Sequence, residues 1–191
     1  MMKRRAALLL LVGILPVVAL PSLWGQRKRD PLTQPEIDQI RDTSWEPKLR
    51  LPLYVEFARA RLVKLEQMRS DPKTVNRARQ THDLLDDFQL LYDELNDNIE
   101  VYVERRDDIR KPLKTIIDAD LEFQTKLLAL RDAANVPPTE ASQYEFALST
   151  ALENLDSAAE DHKKLLADQE VEAKQKKLNK NASRGTGVSP E

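Results

Sequence analysis

Between residues 34 and 171 apolar side chains recur at spacings of three and four, the period of amphipathic helices, and prolines fall where each run stops. Thr33 followed by Glu36 makes a capping box, so a short helix is predicted over 34–44, broken by Trp45-Glu46-Pro47. A second helix is predicted over 52–70, with Leu53, Phe57, Ala58, Leu62, Leu65 and Met68 on one side. Asp71-Pro72 reads as a cap and a first-turn proline, opening a third helix that continues to Arg110. Pro112 opens a fourth, with Leu113, Ile117, Leu121 and Leu128 on its stripe, ending near residue 134. Thr139 caps a fifth after Val136-Pro137-Pro138, and Tyr144, Leu148, Leu152, Leu155, Ala159, His162 and Leu166 hold register on it until the pattern fades beyond Val171. No repeat at the periods of helical solenoids is present.

The third helix would be roughly 58 Å long at about 1.5 Å per residue, twice the second. Its apolar residues Leu84, Leu85, Phe88, Leu91, Tyr92, Leu95, Ile99 and Tyr102 span about 120°, wide enough for two partners. Short turns favour antiparallel neighbours. The predicted fold is therefore all-α: an elongated antiparallel helical bundle of about five helices with one long central helix and coiled-coil-like packing. The second helix would cover its first half and the fourth its second half.

Composition narrows the chemistry. The four glycines are Gly13, Gly25, Gly185 and Gly187, so residues 26–184 contain none, and there is no cysteine. Glycine-rich phosphate loops, a Gly-x-Ser-x-Gly elbow, disulfides, thiolate metal sites and thiol catalysis are excluded there. Lys3, Arg4 and Arg5 precede the apolar run 6–20, interrupted by Gly13 and Pro16, the pattern of a secretory signal peptide over 1–25. Gly25 supplies a small residue at the cut, although Leu23 departs from the small-x-small pattern. The alternative is an uncleaved anchor over 6–24 with the body facing the periplasm. Export predicts a periplasmic or secreted protein with a basic linker at 26–33, the bundle at 34–171 and a basic polar tail at 172–191, helical at first and then disordered. Asn181-Ala182-Ser183 matches a glycosylation sequon, which in such a tail reads as a chance match.

Charge is unevenly placed. The whole chain carries a formal −2, yet once the ends are subtracted residues 30–171 hold 19 bases against 30 acids. From Asp83 to Glu104 there are eight acids and no base. Asp86, Asp93, Asp97, Glu100 and Glu104 fall within about 60° of one another, a ridge opposite the apolar arc. Three readings stand: a solvated face; a face screened internally by Lys174 to Lys180 or by Arg59, Arg61 and Lys64; or a docking surface for a basic partner or divalent cations.

The remaining candidates read as structural. His82 and His162 are predicted about 40 Å apart and share no site. Arg79 and Ala159 stand where a Glu-x-x-His metal motif needs glutamate, so His82, with Asp86 at i+4, reads as a surface or seam residue and His162 as a polar residue on an apolar seam. Asp118, Asp120 and Glu122 read as a solvated cluster, and Trp45 as a plug over one bundle end. Glu104-Arg105-Arg106-Asp107-Asp108 and Arg110-Lys111 read as ion pairs, with phosphate binding by Arg105, Arg106 and Arg110 as the lesser alternative. No catalytic constellation, cofactor or metal site emerges, and an acidic body argues against nucleic acid. The expectation is a non-catalytic exported binding, spacing or adaptor module of the cell envelope. Its partner would be a protein, basic in character, or a second copy, with membrane contact only through an uncleaved N-terminal segment or the basic ends. The alternative function is cation or small-ligand binding on the acidic face.

Overall fold

A computed structural model describes residues 30–134 and 136–185. The predicted signal or anchor, most of the basic linker and the last six residues of the tail lie outside the described residues. Every regular element described is helical: α1 (Gln34–Asp42), α2 (Pro47–Ser70), α3 (Arg77–Glu104), α4 (Arg110–Arg131), α5 (Pro138–Ala141) and α6 (Glu145–Gly185). The chain is an all-α helical bundle.

Local signals explain most boundaries. At the start of α1 the Glu36 carboxylate accepts from the Thr33 backbone N–H at 2.7 Å and from its hydroxyl at 2.9 Å. Pro47, not Pro52, opens α2; Pro47 occupies the first turn, where a missing N–H costs nothing, and Pro52 is carried inside the helix. Asp71 acts as a turn former and not as the cap of a continuing helix, its carboxylate accepting from the Lys73 N–H at 2.9 Å, so α3 begins only at Arg77.

α3 also ends earlier than its pattern predicts. The Arg106 N–H donates to the Val103 carbonyl and the Asp107 N–H to the Tyr102 carbonyl, both at 2.9 Å, with Arg106 at φ 59°. This pair of bonds is a Schellman closure, which usually has glycine at the left-handed position. Here arginine takes it, and Ser44, Trp45 and Asn76 also have positive φ. A glycine-free body thus still makes left-handed turns, with side chains that resist them by roughly 1–2 kcal/mol each. The long helix is accordingly α6, with 41 residues against 28 in α3.

Interhelix bonds give the directions. Arg50 to Asn98 and Arg69 to Thr81 make α2 and α3 antiparallel. Gln124 to Asp156 and Lys114 to Glu170 make α4 and α6 antiparallel. Arg59 to Glu122 and Lys126 to Glu66 make α2 and α4 parallel, and Gln89 to Ala147 with Ile109 to Gln169 make α3 and α6 parallel. Around the bundle the order is therefore α2, α3, α6, α4, and the five-residue link 105–109 crosses the diagonal. The staggered arrangement, with α4 alongside the second half of α3, is not formed. The wide arc of α3 does hold two partners, α2 and α6, and all eight of its residues are buried. Across the diagonal, Phe88 and Tyr92 of α3 meet Phe123 of α4 edge-on, with centroids 5.4 and 6.4 Å apart. The buried stripe of α4 is Leu113, Ile116, Phe123, Leu127 and Leu130, while Leu121, expected on it, is 67% exposed.

Ion pairs clamp the periphery. Buried Arg61 of α2 grips the Glu36 carboxylate through two bonds of 2.7 Å. Burial alone would raise the Glu36 pKa, but the Arg61 guanidinium and the Thr33 donors outweigh it and hold it below the ordinary range. Trp45 is not a plug: it is 54% exposed, with the Arg50 guanidinium 4.2 Å above its ring.

Candidate functional site

Of the four edges of the bundle, α3 against α6 is the sparsest, and a groove of about 670 Å³ opens along it. Both helices run the same way here. From α3 come Asp93, Asn96, Ile99, Glu100, Val103 and Glu104; from α6 come Asn154, Ser157, Ala158, Asp161, His162 and Leu165. Four carboxylates line it and no lysine or arginine does. Ile99, Val103, Ala158 and Leu165 give it an apolar floor.

The acidic ridge thus becomes one wall of a groove. Asp93, Glu100 and Glu104 line it; Asp97 is exposed outside it; Asp86, higher on α3, pairs with His82 at 3.2 Å. Of the α2 bases set against the ridge, Arg59 pairs with Glu122 and Arg61 with Glu36. Lys176 on the tail pairs with Glu172 of its own helix at 3.4 Å. Among the described residues, no cationic partner stands against Asp97, Glu100, Glu104 or Asp161, and no group of three or more His, Asp or Glu side chains is placed to hold a metal ion.

Behind the groove lies a polar network that sequence reading divided between two separate regions. His162 is buried in its wall; Nδ1 meets Asp120 Oδ2 at 2.9 Å and Nε2 meets Asn96 Oδ1 at 3.0 Å. The Tyr92 hydroxyl donates to the other Asp120 oxygen at 2.7 Å. Since a carboxylate only accepts, Nδ1 carries the proton toward it. The Asn96 amide presents its oxygen to an N–H or, turned about, its NH2 to a lone pair, so the ring is held in either charge state. Burial, then the charge and hydrogen bond of Asp120, push the Tyr92 phenol far above its ordinary value. Asp120 is therefore not a solvated residue: it is 3% exposed. Its legible signal is register, since 120 continues the series 113, 116, 123, 127 and 130 just as 162 continues 148, 152 and 155. An acid and a histidine each occupy an apolar position on helices that pack together. This dyad has the parts of a general base, but Nε2 is tied to Asn96 instead of opening into the groove.

The loop after α3 pairs within itself, Arg105 with Asp107 at 3.2 Å and Arg110 with Asp108 at 2.6 Å. The Arg110 hydrogen bond lowers Asp108 to about 2. Gln169 of α6 fastens this loop, accepting from the Ile109 N–H and donating to the Asp107 carbonyl, each at 3.1 Å. Among the described residues no helix is long and apolar enough to cross a membrane. No protein family matches the chain, nor does any curated protein or solved structure.

Proposed function

We propose that the protein is an exported, non-catalytic binding module of the cell envelope whose α3–α6 groove receives a basic, amphipathic helical segment. The observation that carries this is the groove lining: Asp93, Glu100, Glu104 and Asp161 around an apolar floor, with no lysine or arginine in the lining. Such a lining suits a helix that brings lysines on its flanks and an aliphatic edge between them. Export rests on the three bases and apolar run at the N-terminus, and places the module in the periplasm or outside the cell, or on the membrane if residues 6–24 remain as an anchor. A non-catalytic role is supported by the His162 dyad, which is spent on the interior of the bundle.

The test is a calorimetric titration with a lysine-rich amphipathic helical peptide. Saturable binding is expected, weakened roughly ten-fold or more between 50 and 300 mM salt and by Glu100→Gln with Glu104→Gln and Asp161→Asn. No saturation, or binding indifferent to these changes, overturns the proposal. Saturating heat with calcium or zinc alone would instead assign the groove to the cation-binding alternative.

A further inference from the structure

His162 is the point where the buried network touches the groove. Its ring stands in the groove wall beside Asn96, which is half-buried and also lines the groove. Nδ1 faces the Asp120 carboxylate of α4 at 2.9 Å and Nε2 faces the Asn96 amide oxygen of α3 at 3.0 Å, while the Tyr92 hydroxyl of α3 holds the second Asp120 oxygen at 2.7 Å. The other titratable groups around this corner are Asp93 and Glu100 across the groove on α3, and Asp161 and Lys163 on α6 itself, the lysine pairing with Glu160 at 2.8 Å and lying within the field of Asp120. Tyr92, raised far above its ordinary value by burial, stays a neutral donor.

One proton on this ring decides what the groove wall presents. With Nδ1–H committed to Asp120, Nε2 of a neutral ring is a lone pair, and Asn96 satisfies it by turning its NH2 inward. The Asn96 carbonyl oxygen then joins the carboxylates of Asp93, Glu100 and Asp161 in the groove. When the ring is charged, Nε2–H donates to the amide oxygen, as placed in the structure, and the NH2 is turned to the groove instead. The charge behind the wall changes in the same sense, because the Asp120–His162 pair carries one negative charge with a neutral ring and none with a charged one. Both changes act against a cationic ligand once the ring is protonated.

Resting on the groove reading above, we infer that His162 and Asn96 form a proton-operated switch on the α3–α6 groove: a neutral His162 lets Asn96 present its carbonyl to the lysines of a bound helix, and protonation turns the amide and weakens the hold. One charge gained behind the wall, with the turned amide added to it, corresponds to roughly a three- to ten-fold loss of affinity.

The test is a calorimetric titration of the full chain, kept in a non-ionic detergent, with an acetylated lysine-rich amphipathic helical peptide that contains no histidine, at constant salt between pH 5.5 and 8.0. Histidine side chains change charge across this range, whereas lysines and ordinary carboxylates keep theirs. Affinity is expected to fall roughly three- to ten-fold from pH 8.0 to 5.5, with protons released on binding and read as a heat that varies with the ionisation heat of the buffer. By reciprocity, saturating peptide lowers the midpoint of the His162 titration, followed by the 15N shifts of its ring, by about 0.5–1 pH unit. His82→Gln, which removes the histidine outside the groove, leaves the pH profile unchanged. Asn96→Asp, an acceptor in either orientation, is expected to hold His162 protonated and flatten the profile. Peptide binding that is level across the range, a pH profile lost in His82→Gln or retained in Asn96→Asp, or a His162 midpoint that the peptide does not move, overturns the switch and leaves the groove reading standing. An absence of saturable binding at every pH overturns both.

Discussion

Replacing His162 by leucine tests the buried network most directly. The ring is 4% exposed and its Asp120 partner 3%, so the substitution leaves a carboxylate in the interior with the Tyr92 hydroxyl as its one remaining donor in the network. Removing the partner of a buried charge costs about 3–5 kcal/mol, mostly the desolvation of the abandoned group. With a urea slope of about 2 kcal/mol per M for a chain of this size, the unfolding midpoint drops by about 1.5–2.5 M. Asp120→Leu added to His162→Leu removes that charge, leaving the Tyr92 hydroxyl orphaned at about 1–3 kcal/mol, and Tyr92→Phe then removes most of this. The triple variant should therefore be more stable than the His162→Leu single variant, a reversal that only a coupled network produces. Urea titrations followed by circular dichroism at 222 nm measure it. Costs that add within about 0.5 kcal/mol along the series, or a single-variant cost below about 1 kcal/mol, would refute the reasoning.

Three further expectations are independent of that network's coupling. Asp97→Asn with Glu100→Gln and Glu104→Gln removes like charges three and four apart near the C-terminus of α3, each worth a few tenths of a kcal/mol, and should raise the melting temperature by about 1–4 °C at low salt, less at high salt; calorimetry showing no rise would mean the ridge is unstrained. Arg106→Gly relieves the left-handed arginine of the Schellman closure and should stabilise by about 0.5–1 kcal/mol after the extra freedom of the unfolded chain is subtracted, as read by chemical denaturation. All four tyrosines, Tyr54, Tyr92, Tyr102 and Tyr144, are buried and raised above their ordinary value, with burial the leading cause. A raised folded value leaves stability intact below about pH 10 and erodes it above, because only the unfolded chain ionises there. Phenolate absorbance at 295 nm should therefore rise together with the loss of helicity; a tyrosine titrating at about pH 10 in the folded protein would contradict this.

Much of the fold was legible one turn at a time. The eight apolar residues of α3, the stripe of α6 and the Thr33–Glu36 capping box are local patterns, and each forms as its spacing implies. The errors arise where a local pattern has two outcomes. Residues 104–111 alternate charge without glycine or proline before Pro112, so nothing local marks the closure at Arg106. Asp71-Pro72 serves equally as a helix cap and as a turn, and packing of Arg69 on Thr81 and Glu140 goes with the turn. On α4, two overlapping three-and-four series compete, and choosing the one through Leu121 sent Asp120 to solvent.

The sequence by itself determined that the body is helical, which faces are apolar, where an unbroken acidic run lies, and that glycine and cysteine chemistry is absent from it. These depend on residue identity within a turn or two. The tertiary structure alone decided that the link 105–109 crosses the diagonal, that α3 and α6 lie parallel with a groove between them, and that Asp120 and His162, 42 residues apart, share hydrogen bonds. A five-residue link reaches an adjacent or a diagonal position, and the choice rests on the summed fit of whole faces, above all Phe88, Tyr92 and Phe123 at the centre. That choice turned an acidic ridge into one wall of a groove.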